Sequence, residues 1–339
     1  MWPNKHQIEL LKAGLFPPEV AVGHWQNWEA VYQNRYETID HASAGLIPLA
    51  LRNTEKQLPQ TPFVKRCKGV YRQTWTHNQL LWLGIQPVIA FLEKSNIPYA
   101  FLKGMYMIRE EYQDFGCRRL GDVDILISKA HFDFTVLQLK RLGFESEDSH
   151  KVMQGSRHAA LLKNKANLNL DLHVRLFNQL PIEVGPGALT PEMRLFHTIV
   201  HGLKPSRVSG IRWIADAVTL ISHHPIDWDA LCHTAIQAKA AYQLYKGLAF
   251  LKTDFFAPVP QTTLAQLLAA THRLEKVEYL LWVLFQPLGT GVVAGWIRDR
   301  LNDPEAKRSF RQYMHQVRGI RIRQVIRGRS QGDRGKVVK

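Results

Sequence analysis

The sequence predicts an α+β protein in which a small mixed β-sheet lies between two helical regions. Apolar residues recur at helical spacing in residues 1–95, alternate with a strand-like period in residues 96–180, and return to helical spacing in residues 186–315. Apolar residues make up 45% of the 339-residue chain and charged residues 22%, which is typical of globular proteins. We therefore expect an N-terminal helical region, a sheet-containing core, a C-terminal helical region and a separate tail over residues 316–339.

The N-terminal region is predicted to consist of several helices. Apolar residues have helical spacing from Gln7 to Leu15, around Trp25 and Trp28, and from Leu80 to Leu92. Prolines at positions 17, 18, 48, 59 and 62 mark the expected breaks between these helices.

The core begins with a short apolar strand, Ile97 to Leu102, after which Lys103-Gly104 leads into a helical segment. A second strand, Asp122 to Ser128, places Val123, Ile125 and Ile127 on one face and Asp122 and Asp124 on the other, because side chains alternate along a strand. Ser128 can cap the helix that follows, and Gly143 is expected to end it.

A β-hairpin is predicted next. Residues 157–163 and 168–175 flank an Asn-Lys-Ala-Asn turn, and the second strand alternates between apolar and polar residues. Asp171 and His173 are two residues apart in that strand, so we expect them to share one face of the sheet.

The C-terminal region returns to helices. Thr190-Pro191-Glu192 is typical of a helix start, and further helices are expected over residues 211–221 and 228–250. Residues 279–297 are almost as long and apolar as a membrane span, but Gln286, Pro287 and Gly289 interrupt them. We therefore expect two buried helical pieces joined by a turn, and no transmembrane segment.

The charge balance predicts an anionic partner. Lys and Arg number 44 against 29 Asp and Glu, which gives a formal net charge of +15. This charge suits nucleotides, nucleic acid, acidic polymers or an anionic membrane surface, and does not choose among them. The basic tail is expected either to contact a polyanion or to act only as a solubilising segment.

Cysteine usage and the N-terminus predict a cytoplasmic protein. Cys67, Cys117 and Cys232 are odd in number and lack metal-ligand spacing, so neither a disulfide framework nor a zinc site is expected. The first residues contain no apolar stretch of signal-peptide length.

Three aspartates are predicted to form a metal site. Asp122 and Asp124 point to the same side of one strand, and Asp171 from a neighbouring strand would complete a cage of oxygen ligands, which Mg²⁺ prefers. Carboxylates this close repel one another by roughly a few kcal/mol at an effective dielectric constant near 20, so the cluster favours a bound cation.

The chain contains a second Asp-x-Asp pattern that serves as an internal control. Asp227-Trp228-Asp229 precedes a predicted helix, where Asp227 is expected to be the N-cap and Asp229 a first-turn acid. An Asp-x-Asp pattern is therefore weak evidence for a metal site on its own. The predicted strands around Asp122 and Asp124 distinguish them from Asp227 and Asp229.

Three motifs together resemble a known family. The run Phe-Leu-Lys-Gly at 101–104, the run Arg-Leu-Gly-Asp-Val-Asp-Ile-Leu-Ile at 119–127 and the run Leu-Asp-Leu-His at 170–173 are similar to those of bacterial nucleotidyltransferase family proteins in the DNA polymerase beta superfamily. The run Arg-Trp-Ile-Ala-Asp at 212–216 resembles the helical C-terminal part of that family.

The resemblance implies a metal-dependent nucleotidyltransferase. In that family pattern, Asp122, Asp124 and Asp171 would hold two Mg²⁺ ions, with Mn²⁺ as an alternative, beside a nucleoside triphosphate. A nucleotidyl group would pass to an acceptor hydroxyl of a small molecule, a secondary metabolite or a polysaccharide precursor, and Asp171 would help to deprotonate that hydroxyl.

Three further residues and one glycine are assigned to phosphate binding with open alternatives. The superfamily usually has Gly-Ser where this chain has Lys103-Gly104, so Lys103 would supply a point charge or Gly104 would simply allow a tight turn. Arg119 would meet phosphate or only solubilise the strand end, and His173 would bind phosphate, orient Asp171 or be structural.

Two rival functions remain at the level of sequence. The missing serine and the basic tail also suit a non-catalytic protein that binds nucleotides or nucleic acid as an interaction module. The second rival is a toxin-like enzyme that modifies RNA or a partner protein.

His197 and His201 have zinc-ligand spacing on a helix, but packing is the favoured interpretation because no third ligand is evident.

Overall fold

The computed structural model describes residues 2–146, 148–155, 157–177, 185–203, 210–273, 275–277 and 279–280. The chain divides into two compact units, one of residues 1–204 and 208–271 and the other of residues 205–207 and 272–339. All the features discussed below belong to the first unit. The tail and most of the segment 279–297 lie outside the described residues, and within the described residues no helix is long and apolar enough to cross a membrane.

Within the described residues, helices precede, interrupt and follow one sheet, as the sequence predicts. Five helices come first: α1 Lys5–Leu15, α2 Pro18–Tyr32, α3 His41–Ala44, α4 Ile47–Thr54 and α5 Pro62–Lys94. The core contains α6 Lys103–Tyr106, a π-helical turn Met107–Glu111, α7 Phe132–Arg141 and α8 Ser149–Met153. The last described helices are α9 Pro191–Gly202, α10 Arg212–His223, α11 Trp228–Gln237, α12 Ala241–Phe255 and α13 Gln261–Ala270.

The sheet has five strands, and their order confirms that it is mixed. The strands are β1 Tyr99–Phe101, β2 Val123–Ile127, β3 Phe144–Glu145, β4 Ala159–Asn164 and β5 Asn169–His173. Their spatial order is β1-β2-β5-β4-β3, with β2 and β5 parallel and the other neighbours antiparallel. The two-residue strand β3 was not predicted, because it has too few residues to show an alternating pattern.

One face of the sheet forms the main core. Val123, Ile125 and Ile127 of β2 pack there with Leu170 and Leu172 of β5, and all five side chains are fully buried. Apolar residues of α5 and α7 cover this face. Because side chains alternate along a strand, the polar residues of β2 and β5 are left on the opposite face, which is the arrangement that the sequence predicts.

The long helix α5 supports the sheet with a different set of residues than the spacing suggests. Thr61 caps its first turn and Pro62 occupies the first helical position, where the missing N–H costs nothing. Leu81, Ile85 and Val88 face the sheet. Leu80 and Leu83, which belong to the predicted apolar stripe, are each 63% exposed instead.

The C-terminal helices begin where their capping residues predict. The Thr190 hydroxyl accepts a hydrogen bond from the Met193 amide at the start of α9, and Pro191 follows it. Asp227 accepts from the amides of Asp229 and Ala230 at 3.1 and 2.9 Å, so the second Asp-x-Asp pattern is a helix cap, as expected. The helical stretch expected over 228–250 is divided, because Lys239 adopts the left-handed conformation between α11 and α12.

Candidate active site

The parallel pair β2 and β5 brings two of the predicted aspartates together. Asp124 is in register with Asp171, and His173 follows two residues later on the same face. Ligand atoms of Asp124, Asp171 and His173 all lie within 4.8 Å of one another. The hydrogen-bonding register of the sheet therefore sets the geometry of this group, which we call the acidic cluster.

Asp124 is the buried centre of the acidic cluster. Its side chain accepts hydrogen bonds from Lys103 Nζ at 2.5 Å and from His173 Nε2 at 2.9 Å. Both donors use Oδ1, so none of the hydrogen bonds among the described residues reaches Oδ2. A carboxylate that is 2% exposed is stable only with such partners, because an unpaired buried charge is strongly disfavoured.

The electrostatic surroundings keep Asp124 ionised. Burial by itself would raise the pKa of this carboxyl, since it disfavours the charged form. The hydrogen bond from His173 and the positive charge of Lys103 outweigh burial and hold the pKa of Asp124 well below its usual range. The sequence predicts only repulsion among the carboxylates, whereas in the structure Lys103 and His173 compensate the negative charge of Asp124.

Asp171 and Asp122 have the opposite electrostatic character. Burial and the negative charge of Asp124 raise the pKa of each. Both are partly exposed, and neither takes part in a side-chain hydrogen bond among the described residues. Asp122 lies one residue before β2 and outside the group defined by the 4.8 Å limit.

Lys103 reaches Asp124 from an unusual backbone conformation. Its φ of +44° lies in the left-handed region, which is uncommon for a residue with a side chain. It directly follows Leu102, whose amide donates to the Asp124 carbonyl at 3.0 Å. Lys103 therefore turns the chain from β1 into α6 and places its ammonium group over the strand that carries Asp124.

Gly104 has a packing role rather than a conformational one. A Cβ atom added there would lie 2.2 Å from Arg118 Nη1 and 2.5 Å from Leu120 Cδ2. The residue that needs the left-handed conformation is Lys103, so the tight turn does not explain Gly104. The glycine allows α6 to approach the segment that leads into β2.

A buried ion pair anchors that segment. Arg118 donates to Asp216 of α10 through Nε and Nη2 at 2.9–3.0 Å, and the Tyr112 hydroxyl donates to the same carboxylate at 3.0 Å. Arg212 donates to the Arg119 carbonyl at 2.5 Å. Arg212 and Asp216, the first and last residues of the Arg-Trp-Ile-Ala-Asp run, therefore fix the segment that precedes β2.

Arg119 does not contact the acidic cluster in the described part of the chain. Among the described residues no ion pair joins Arg119 to the cluster, and its positive charge acts on His77 of α5, where burial and this charge lower the pKa of the imidazole. Lys103 and His173 are thus the predicted phosphate-binding residues that the fold places at the carboxylates.

The N-terminal region also positions the site. Asn78 of α5 donates to the carbonyls of Phe115 and Arg118 at 2.7 and 2.8 Å and accepts from the Leu120 amide at 3.0 Å. His77 contacts the Leu120 carbonyl at 3.0 Å. These long-range contacts fix the loop before β2, and no local sequence pattern indicates them.

The cysteines and the pair of His197 and His201 lie in packed surroundings. Cys67, Cys117 and Cys232 are buried free thiols. The rings of His197 and His201 are 5.6 Å apart in an edge contact, and His197 also packs against Phe177. Among the described residues, the acidic cluster is the one group of at least three such side chains with suitable metal-ligand spacing.

Comparison with known proteins agrees with this geometry. A family model described as "Uncharacterised nucleotidyltransferase" matches residues 27–255, which is more than half of the chain. The matched region runs from α2 to the end of α12 and contains the whole sheet, the acidic cluster and the Arg118–Asp216 pair. No curated protein and no solved structure matches the chain.

Proposed function

The chain belongs to this nucleotidyltransferase family, and from that premise we propose that it moves a nucleotidyl group from a nucleoside triphosphate to an acceptor hydroxyl in a metal-dependent reaction. The observation that carries the proposal is the in-register pair of Asp124 and Asp171 on adjacent parallel strands. The acceptor class follows from the family resemblance and is a small molecule, a secondary metabolite or a polysaccharide precursor.

The side chains of the acidic cluster fit a divalent cation. Asp124 Oδ2 and the Asp171 carboxylate are oxygen ligands of the type that Mg²⁺ and Mn²⁺ prefer. His173 donates a hydrogen bond from Nε2 to Asp124. Such a hydrogen bond orients a carboxylate that binds a metal ion. Asp122, whose pKa is raised by burial and by Asp124, would join the site on the same side of the strand.

Divalent ions, when bound, would neutralise the triphosphate and increase the acidity of the acceptor hydroxyl. We assign Lys103 to donate to a phosphate oxygen, because its ammonium group already contacts Asp124 of the cluster. Asp171, whose raised pKa results from burial and from Asp124, is the group that we assign to accept the hydroxyl proton.

The reaction is a displacement at the α-phosphorus. The acceptor oxygen forms a bond to the α-phosphorus while the bond from that atom to the bridging oxygen breaks, and pyrophosphate leaves. The hydroxyl proton passes to Asp171. Catalysis of this kind depends mainly on positioning and charge neutralisation, which a rigid pair of strands provides.

Magnesium-dependent nucleotide binding tests the proposal. Binding of ATP, GTP, CTP and UTP is measured by calorimetry with Mg²⁺ and with EDTA, for the wild type and for Asp171→Ala. We expect at least one nucleotide to bind more tightly with Mg²⁺, and we expect Asp171→Ala to remove the difference. A ligand present at about 100 times its Kd also stabilises the fold by roughly 2.7 kcal/mol, so thermal denaturation gives an independent measure.

The second Asp-x-Asp pattern supplies the matched control. Asp229→Ala removes an exposed first-turn acid of α11 and leaves the cap at Asp227 in place, so it should preserve the response to Mg²⁺. If the folded wild type binds every nucleotide equally with Mg²⁺ and with EDTA, the metal site is wrong. That result would favour an interaction module that does not use a metal.

A further inference from the structure

A polar cavity lies beside α6, the helix that begins with Lys103. It has a volume of about 580 Å³ and is bordered by β1, the π-helical turn, Arg194 of α9 and the histidine pair at the end of α10. Cavities of a few hundred Å³ are the size that small-molecule ligands occupy. We call it the Arg194 cavity.

The floor of the Arg194 cavity is a buried carboxylate with three donors. Glu111 accepts from the Tyr106 hydroxyl at 2.5 Å, from His224 Nε2 at 2.8 Å and from His223 Nδ1 at 3.0 Å. Burial would raise the pKa of Glu111, but these hydrogen bonds outweigh it and lower the pKa. Glu111 therefore fixes both imidazole rings and is itself fully occupied.

The imidazoles keep one ring nitrogen each for a ligand. Nδ1 of His223 and Nε2 of His224 face the carboxylate, so they are the N–H groups. The remaining nitrogens, His223 Nε2 and His224 Nδ1, make no hydrogen bond among the described residues. In a neutral imidazole that nitrogen is an acceptor, which suits the hydroxyl group of a ligand.

Arg194 provides positive charge to the same cavity. Its guanidinium lies 3.5 Å from the centre of the Tyr106 ring and donates to the Phe101 carbonyl at 3.1 Å. No carboxylate in the described part of the chain lies within ion-pair distance of it, and the charges of Glu111 and Glu110, which line the same cavity, act on it from farther away. An arginine held by a ring and a carbonyl keeps donors for a phosphate or carboxylate group, which it binds with charge-assisted hydrogen bonds.

The Arg194 cavity is linked to the acidic cluster through Lys103, which contacts Asp124. Tyr106 lies one helical turn after Lys103 in α6, and Phe101 is followed by Leu102, which bonds to the Asp124 backbone. A narrower cavity is lined by Lys103, Tyr106 and Arg194 together. A small molecule in the Arg194 cavity would therefore lie next to the residue that contacts Asp124.

We propose that the Arg194 cavity binds the acceptor substrate, and that this substrate is a small hydroxylated anion carrying a phosphate or a carboxylate. Arg194 binds the anionic group, and the remaining ring nitrogens of His223 and His224 form hydrogen bonds with its hydroxyls. This assignment rests on the proposed nucleotidyl transfer, because only a transferase requires a second substrate site beside the acidic cluster.

Three matched probes test the chemistry of the cavity. Binding of glycerol 3-phosphate, glycerate and glycerol is measured by calorimetry with the full chain. We expect one or both anions to bind and glycerol not to bind, and the stronger anion identifies the group that the cavity recognises. Arg194→Gln should raise the Kd of that anion at least tenfold, which corresponds to about 1.4 kcal/mol.

Two further variants keep the test valid if Arg194→Gln folds poorly. His223→Ala changes a side chain that is 48% exposed, so it should fold and still weaken anion binding several-fold. Arg109→Gln is the control, because Arg109 also stacks on aromatic rings, Trp82 and Phe101, but does not line the cavity. Unchanged affinity for the anion in Arg109→Gln supports the assignment.

The outcomes separate this inference from the proposed function. Absence of binding by either anion at millimolar concentration, or equal affinity in wild type, Arg194→Gln and His223→Ala, overturns the cavity assignment even if Mg²⁺-dependent nucleotide binding is normal. A different result is anion binding that depends on Arg194, combined with nucleotide binding that is the same with and without Mg²⁺ and in Asp171→Ala. This result shows that the cavity is a ligand site and that the proposed reaction is wrong.

Discussion

Asp124 and Asp171 lie side by side, yet replacing them with alanine should change stability in opposite directions when no divalent ion is present. Asp124 is the acceptor for Lys103 and His173, whereas Asp171 has no hydrogen-bond donor among the described residues. Asp124→Ala leaves a buried imidazole and a largely buried ammonium group without their partner. Breaking a buried pair in this way costs about 3–5 kcal/mol.

Asp171→Ala removes a repulsive charge instead. Two carboxylate charges at most 4.8 Å apart repel by roughly 3 kcal/mol or more at an effective dielectric constant near 20. Lys103 and His173 attract Asp171 and cancel part of this repulsion, so we expect a net gain of up to about 1 kcal/mol. The sign follows from the raised pKa, because a carboxyl that is harder to ionise in the folded state destabilises the fold when it is charged.

Urea denaturation in EDTA at neutral pH measures both effects. Asp124→Ala should unfold at lower urea than the wild type, and Asp171→Ala should unfold at the same or higher urea. As pH falls, Asp171 becomes protonated in the folded wild type, so the advantage of Asp171→Ala should disappear. Equal destabilisation by the two substitutions would refute the assignment of opposite electrostatic roles.

Three predictions concern the supports of the two sites. Asp216→Ala leaves Arg118 buried without its partner, so urea denaturation should show a loss of about 3–5 kcal/mol; a loss below 1 kcal/mol contradicts the anchoring role. Gly104→Ala places a methyl group against Arg118, and we expect a thermal destabilisation of about 1–3 kcal/mol; unchanged stability would mean that the helix shifts freely. Glu111 has a lowered pKa, so its stabilisation is present above the unfolded-state value near 4.5 and is lost as pH falls through the folded value. Glu111→Gln should therefore have a flatter acid denaturation profile than the wild type, and parallel profiles would contradict this.

Alternation along the strands made the central geometry predictable. The sequence places Asp124 on one face of β2 and Asp171 and His173 on one face of β5, and only the pairing of these two strands is needed to bring them together. The Asp227 cap was predictable for a similar reason, because capping depends on residues within one turn of the helix.

Contacts between distant segments were not predictable from local patterns. The pair of Lys103 with Asp124 and the pair of Arg118 with Asp216 join residues 21 and 98 positions apart. The Arg194 cavity likewise depends on how α9 and α10 pack beside β1, which sequence periodicity does not determine. The assignment of Leu80 and Leu83 to the buried face of α5 was wrong, since they have suitable spacing but lie on the solvent side.

The fate of the phosphates of a labelled nucleotide tests the central claim most directly. The chain is incubated with Mg²⁺, a small-molecule extract of the source cells and ATP labelled at either the α- or the γ-phosphate, beside the Asp171→Ala and Asp229→Ala variants. We predict that the α-label enters an acceptor, that the γ-label leaves in pyrophosphate, and that Asp171→Ala abolishes transfer while Asp229→Ala does not. Transfer of the γ-label to the acceptor, or α-label transfer that persists in Asp171→Ala, would contradict nucleotidyl transfer at the acidic cluster.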